Sequence, residues 1–447
     1  YWKTKNNNED IAIIANIRKL DGTLCFRERL SFEEVNVINY RPSKKMVGNN
    51  FKGSVEIEII STKNLRVPFP GIIAIYETEK GISMVHTYGR TYSNHEVEEQ
   101  RTITDGHCSC WSILDDKLTH SCFIGHNGNQ VLPKQKVKMT VTNYKELDKT
   151  IDIYLPEIKP YGTFIIKLSD YFLDLVPFLG GKPGHVSLDY KLNNSFARLL
   201  IINRKNDYTD MQLTHSNFNY KKNQTDTVQA EKPFAFMHLP PLNYGESTLQ
   251  IYPDMHPGNY IYSVEEKGND YKPLKSIMTT SIKLENNKSQ ILRIKNLNGE
   301  IPSRLVTGLK VSMNKDLIPA ECSLNVIHEK YFKKYYTWGI YSEDINHQSF
   351  INLTKCNTVY GELPKELLFE MTFYRPSNLD SVTFNLTSET VEEMNKRPFE
   401  VGSFIEKNNK YDFRRFGYVT VKTNYPGFII YSSICNKQKS YTIEHWF

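Results

Sequence analysis

Asn16-Ile-Arg-Lys-Leu20-Asp21-Gly-Thr23-Leu-Cys-Phe26 and Asn143-Tyr-Lys-Glu-Leu147-Asp148-Lys-Thr150-Ile-Asp-Ile153 share one pattern: Asn-x-x-x-Leu-Asp-x-Thr-apolar-x-apolar. They stand 127 residues apart (143 − 16). Each reads as an apolar strand, a polar turn at Asp and a second strand. Recurrence at such a distance points to a repeated supersecondary unit. Weaker copies at 243–252 and 379–384 extend the series.

A second landmark closes each unit. Met84-Val-His86, Leu213-Thr-His215, Val326-Ile-His328 and Ile443-Glu-His445 each follow an apolar strand and a polar connection. Trp111, His120 and Phe123-Ile124 are echoed by Trp338, His347 and Phe350-Ile351, 227 residues later (338 − 111). The spacing predicts two duplicated halves of about 230 residues, each holding two related modules. Their expected limits are 1–100, 101–225, 226–335 and 336–447, the third repeating the first and the fourth the second. Most segments alternate with period two and are rich in Val, Ile, Thr, Tyr and Phe. Turn signals such as Asp21-Gly22 and Asn127-Gly128 separate them. The expected fold is all-β, tandem antiparallel β-sandwich modules with little helix. Short helices are expected only near Ser169–Leu175 and Thr390–Lys396.

At 447 residues the chain exceeds one ordinary core. A net charge of +6 over that length marks neither nucleic acid nor an anionic membrane as partner. No apolar run is long enough for a membrane-spanning helix. Seven scattered cysteines do not make a disulfide framework. The first residue is Tyr1, so the chain is expected to lack its natural start, and its compartment stays open.

The densest chemistry is His107, Cys108 and Cys110, followed by His120, Cys122 and His126. Thiolates and imidazoles are the ligands zinc takes, so this is the candidate zinc site. The spacing is not that of common zinc modules, and the second half has no matching set, so buried thiols are the competing reading. The repeated histidines have no acid or nucleophile repeating beside them, which reads as imidazoles capping strand ends. Asp21, Asp148 and Asp380 read as turn formers. Lys330–Tyr336 reads as a strand edge guarded by lysines. Phosphate-loop, nucleophile-elbow and dinucleotide motifs are absent. The expectation is a non-enzymatic binding or structural protein of tandem sandwiches, contacting carbohydrate or protein, with Trp111, Trp338 and His347 lining a groove. The alternative is a metal- or thiol-dependent enzyme working near residues 107–126, and a weaker one is a coat or filament subunit.

Overall fold

Gln135–Thr142 shows how alternation becomes a sandwich wall. Val137, Met139 and Val141 are fully buried, while Lys136 and Lys138 between them face water. The same pattern repeats along the chain, and the computed structural model is nearly all antiparallel sheet. It describes residues 11–31, 37–48, 51–61, 71–86, 89–100, 102–216, 234–242, 245–251, 260–265, 272–273, 281–297, 307–324, 334–375, 380–408 and 415–447.

The first group contains β1 (Ile11–Lys19), β2 (Leu24–Leu30) and β3 (Gly53–Ser61), ordered β2-β1-β3, and a hairpin of β4 (Ile73–Glu77) and β5 (Ile82–His86). The second group begins with β6 (Asp105–Ile113), β7 (Thr119–His126), β8 (Gln135–Thr142) and β9 (Asp148–Leu155). It continues with β10 (Thr163–Lys167), β11 (Gly184–Lys191), β12 (Leu200–Lys205) and β13 (Met211–His215). Its sheets are β6-β11-β8-β9 and β10-β7-β12-β13. The third group begins with β14 (Phe234–Leu239), β15 (Glu246–Ile251), β16 (Tyr260–Glu265) and β17 (Lys272–Pro273). Then come β18 (Ser281–Lys283), β19 (Gln290–Asn296), β20 (Thr307–Ser312) and β21 (Ala320–Leu324). These form β14-β19-β16-β17 and β18-β15-β20-β21. The fourth group begins with β22 (Tyr336–Glu343), β23 (His347–Lys355), β24 (Phe369–Tyr374) and β25 (Ser381–Asn385). It ends with β26 (Phe399–Glu400), β27 (Arg415–Thr423), β28 (Phe428–Asn436) and β29 (Tyr441–His445), in sheets β22-β27-β24-β25 and β26-β23-β28-β29.

Counted within each group, the last three share one strand order: first-sixth-third-fourth facing fifth-second-seventh-eighth. The described strands of the first group fit the third, fourth, sixth, seventh and eighth places of that scheme. Two sheets close over a core in each case. In the second group, Trp111, Met139 and Val186 of one sheet meet Phe123, Ile166 and Ile201 of the other. In the fourth, the short helices Ser388–Met394 and Val401–Asn408 add Val391, Met394, Val401 and Ile405 to the core. The first of these helices is capped by Thr387, three residues ahead of Thr390.

The repeated strings find the right hairpins but the wrong registers. In the β1–β2 turn, Lys19 N–H donates to Thr23 O and Gly22 N–H to Lys19 O. In the β8–β9 turn, Asn143 N–H donates to Leu147 O and Glu146 N–H to Asn143 O. Gly22 and Glu146 both sit in the left-handed region, at φ 86° and 66°. Lys19 therefore corresponds to Asn143, an offset of 124 (143 − 19) rather than 127. Asn16 lies mid-strand against Glu56 and Arg27, whereas Asn143 folds over its own turn. Of the string at 243–252, the described residues 246–251 form β15, which pairs with β18 and β20 among the described residues, while Asn243, Tyr244 and Tyr252 lie outside them.

The second echo slips by one residue. Asp115 Oδ1 accepts from Ser121 N–H at 3.2 Å, and Glu343 Oε1 accepts from Ser349 N–H at 2.7 Å. Asp116 and Asp344 likewise cap the turns that follow. That offset is 228 (343 − 115), and one residue exchanges the faces of a strand. Trp111 thus corresponds to Gly339, which pairs with Val419 as Trp111 pairs with Val186. His347 corresponds to Thr119 rather than His120. Trp111 is 0% exposed in the core, so it lines no groove. The room over Gly339 is taken by Trp446: a Cβ at Gly339 would stand 2.1 Å from its Nε1. That indole donates to Ser432 Oγ at 2.7 Å.

Gly339→Ala therefore forces the buried Trp446 ring to move. We expect a loss of about 1–3 kcal/mol in urea unfolding, accompanied by a change in tryptophan emission of the folded protein.

Candidate functional site at the histidine end of the central strands

The last strands of the four groups meet. β5 packs against β13 and β29, and β21 packs against the same two, so the four make a closed ring. Each is the outer member of its hairpin and has main-chain groups left over from its ladder. Side chains satisfy them. On β5, the N–H groups of Ile82, Met84 and His86 donate in turn to Ser440 Oγ (3.0 Å), Thr442 Oγ1 (2.8 Å) and Glu444 Oε2 (3.1 Å). Every second side chain at the β29 edge meets every second amide of β5, as the two-residue period of both strands requires. Ser83 Oγ accepts from Leu213 N–H (2.8 Å) and donates to Leu213 O (3.1 Å), tying β5 to β13. The Gln212 amide donates to Ile82 O at 2.9 Å and Tyr441 O at 3.2 Å.

At one end of this ring stand three of the four repeated histidines. The His86 ring lies 4.4 Å from that of His215 and 4.7 Å from that of His445, edge-on to both. His328 lies outside the described residues. His86, His215 and His445 each close a ladder, opposite Ile73, Leu200 and Tyr431. The described part of β21 runs to Leu324, opposite Thr307.

Glu444 is buried among them. Its carboxylate accepts the N–H groups of His86 and of His445 (3.0 Å), and lies 3.0 Å from His86 Nδ1 and 2.8 Å from His445 Nδ1. Burial works against its charge, yet the flanking imidazoles and hydrogen bonds hold it well below the usual carboxylate range. Burial takes His86 down to about 4 despite that neighbour, so a neutral ring faces an ionised carboxylate. On the far side of the ring, Arg198 places a guanidinium nitrogen 3.3 Å from His86 Nε2. Sequence inspection overlooks Glu444 because it sought a carboxylate in every copy. The corresponding residues of the first and second groups are Val85 and Thr214, and one acid serves more than one histidine.

The residues singled out near 107–126 are spread differently. β6, with His107, Cys108 and Cys110, belongs to one sheet, and β7, with His120, Cys122 and His126, to the facing one. The side chains of His107, Cys108 and Cys110 lie outside the described residues. His120 has Nδ1 2.7 Å from Asn206 Oδ1 and Nε2 2.8 Å from an Arg204 nitrogen. His126 Nδ1 is 2.9 Å from Thr163 Oγ1. Burial pushes the Cys122 thiol up to about 11, which keeps it protonated at neutral pH. Among the described residues, metal-ligating groups converge in threes at His86, Glu444 and His445 instead.

No protein-family model matches this chain, and no curated protein is significantly similar to it.

Trp338 and His347 both lie where the first and fourth groups touch. Trp338 stacks on Phe447 at 5.1 Å and borders Gly71, and Phe447 in turn packs edgewise on His86 at 4.8 Å. His347 sits between carboxylates, Nδ1 3.0 Å from Asp344 and Nε2 3.2 Å from Glu77 of β4.

His185 and His238 are buried away from the ring, and burial lowers them to about 3 and about 4. An unfolded chain protonates them near pH 6.5, the folded one only near 4. Their contribution is complete above pH 6.5 and is lost as pH falls toward 4. Asp115 and Glu343 act oppositely, because burial raises them to about 6 and 7. We expect urea-unfolding stability to fall between pH 6.5 and 4, with a shallower slope in His185→Leu by a few kcal/mol over that range.

Proposed function

We propose that this chain is a non-enzymatic binding scaffold, built from copies of one sandwich and presenting an outward sheet face to a carbohydrate. The observation that carries the reading is how its central polar groups are used. Ser83, Gln212, Ser440, Thr442 and Glu444 all hold main-chain groups of neighbouring strands. Those bonds fix the sandwiches to one another.

The outward face of β22-β27-β24-β25 supports the choice of ligand. Tyr336 is 46% exposed, and half-buried Tyr374 lies parallel to Tyr418, a buried ring 4.3 Å away that backs it. Beside them Thr372 and Thr383 share a hydroxyl hydrogen bond of 2.8 Å across the strands. Thr140 and Thr150 make the same contact, also at 2.8 Å, at the equivalent place in the second group. Flat aromatic rings flanked by hydroxyls complement the apolar faces and hydroxyl edges of a sugar. The protonated Cys122 thiol and the engaged ring of His120 weigh against the thiol- or metal-enzyme alternative.

Binding to an oligosaccharide panel tests this. A selective ligand whose affinity drops about tenfold or more in Tyr336→Ala and Tyr374→Ala is the expected result. A chain that binds no glycan, or one whose glycan binding ignores both substitutions, removes the carbohydrate reading.

A further inference from the structure

We infer that His86, Glu444 and His445 form a binding site for a divalent transition-metal ion of the zinc class, shared between the first and fourth strand groups. The three ligand atoms lie within 4.8 Å of one another. Zinc bonds of about 2.0–2.2 Å to imidazole nitrogen and carboxylate oxygen place neighbouring tetrahedral ligand atoms about 3.4 Å apart. Glu444 Oε2 lies 3.0 Å from His86 Nδ1 and Glu444 Oε1 2.8 Å from His445 Nδ1, so each carboxylate oxygen faces one imidazole and the groups have only a few tenths of an ångström to open around an ion. His445 Nδ1 is buried 2.8 Å from Glu444 Oε1 without the alignment of a hydrogen bond. Two ligands facing a common centre have that relation.

The surroundings suit an ion. Both Glu444 oxygens are fixed by main-chain N–H groups, and the ligands stand on β5 and β29, each held in its own ladder with β4 and β28, so little has to be ordered on binding. Two histidines and one glutamate are an established zinc set that leaves a fourth position for water. The side chain of His445 is 27% exposed, which gives the ion a way in.

Arg198 makes the inference sharp. Its guanidinium approaches His86 Nε2 as a donor, which requires the ring proton to be on Nδ1. An ion on Nδ1 moves that proton to Nε2, so Arg198 must turn away. Ion and arginine compete, in charge and in hydrogen bonding.

The inference does not depend on carbohydrate binding. The test uses the full chain, freed of metal by a chelator and titrated with Co²⁺ followed by its absorption bands, and with Zn²⁺ by calorimetry. We expect one equivalent per chain, affinity lowered tenfold or more in His445→Asn, and raised severalfold in Arg198→Met. Cys108→Ser with Cys110→Ser should leave it unchanged. Glu444→Gln should also abolish binding. Since that change disturbs the strand ring, His445→Asn, which keeps the carboxylate in place, decides if Glu444→Gln does not fold. Folded protein that takes up no stoichiometric Co²⁺ or Zn²⁺ overturns the inference. So does binding that survives His445→Asn and disappears with the two cysteines.

Discussion

The structure depends on how β5 is finished. A strand at the end of a hairpin exposes a row of amides that must find acceptors or invite another chain. Here the acceptors are side chains, Ser440, Thr442 and Glu444, delivered at alternate positions by a strand from the other end of the sequence. A further ladder would have merged the sheets into one continuous surface. Side-chain docking leaves each sandwich its own two sheets while holding the four end strands in contact.

That arrangement concentrates polar groups in an interior that would otherwise be apolar. Each needs a partner, because a buried donor or acceptor left unmatched costs about 1–3 kcal/mol. Glu444 is the extreme case. It is a buried carboxylate with no direct ion pair to a lysine or arginine among the described residues, and amides and imidazoles balance it. Arg198 reaches it through the ring of His86. The cluster is thus a chain of dipoles running from a cation to an anion, and its protonation state is set by burial as much as by charge.

Much of this was legible in the residues, and the failures have physical causes. Period-two alternation in segments such as Val137-Lys-Met139-Thr-Val141 reports the sandwich directly, since one face of the strand is in the core. The closing histidines were found by sequence and do converge, although the fourth lies outside the described residues. Registers were not legible. Matching letters put Trp338 on Trp111, whereas the turn hydrogen bonds put Gly339 there, with Trp446 supplying the indole from another strand. A core has to be filled, and any strand that reaches it can supply the volume. Glu444 escaped notice for the same kind of reason: the ring needs one carboxylate, not one per copy.

The bonds from Ile82, Met84 and His86 to Ser440, Thr442 and Glu444 each span 358 residues. At synthesis rates of about 5–20 residues per second, β5 waits roughly 20–70 s for the strand that covers it. Through that interval its amides are an open edge beside a nascent chain rich in β-forming sequence. The ring that joins the four end strands is therefore complete only after the last strand has been made. The edge of the β4–β5 hairpin stays open until β29 arrives.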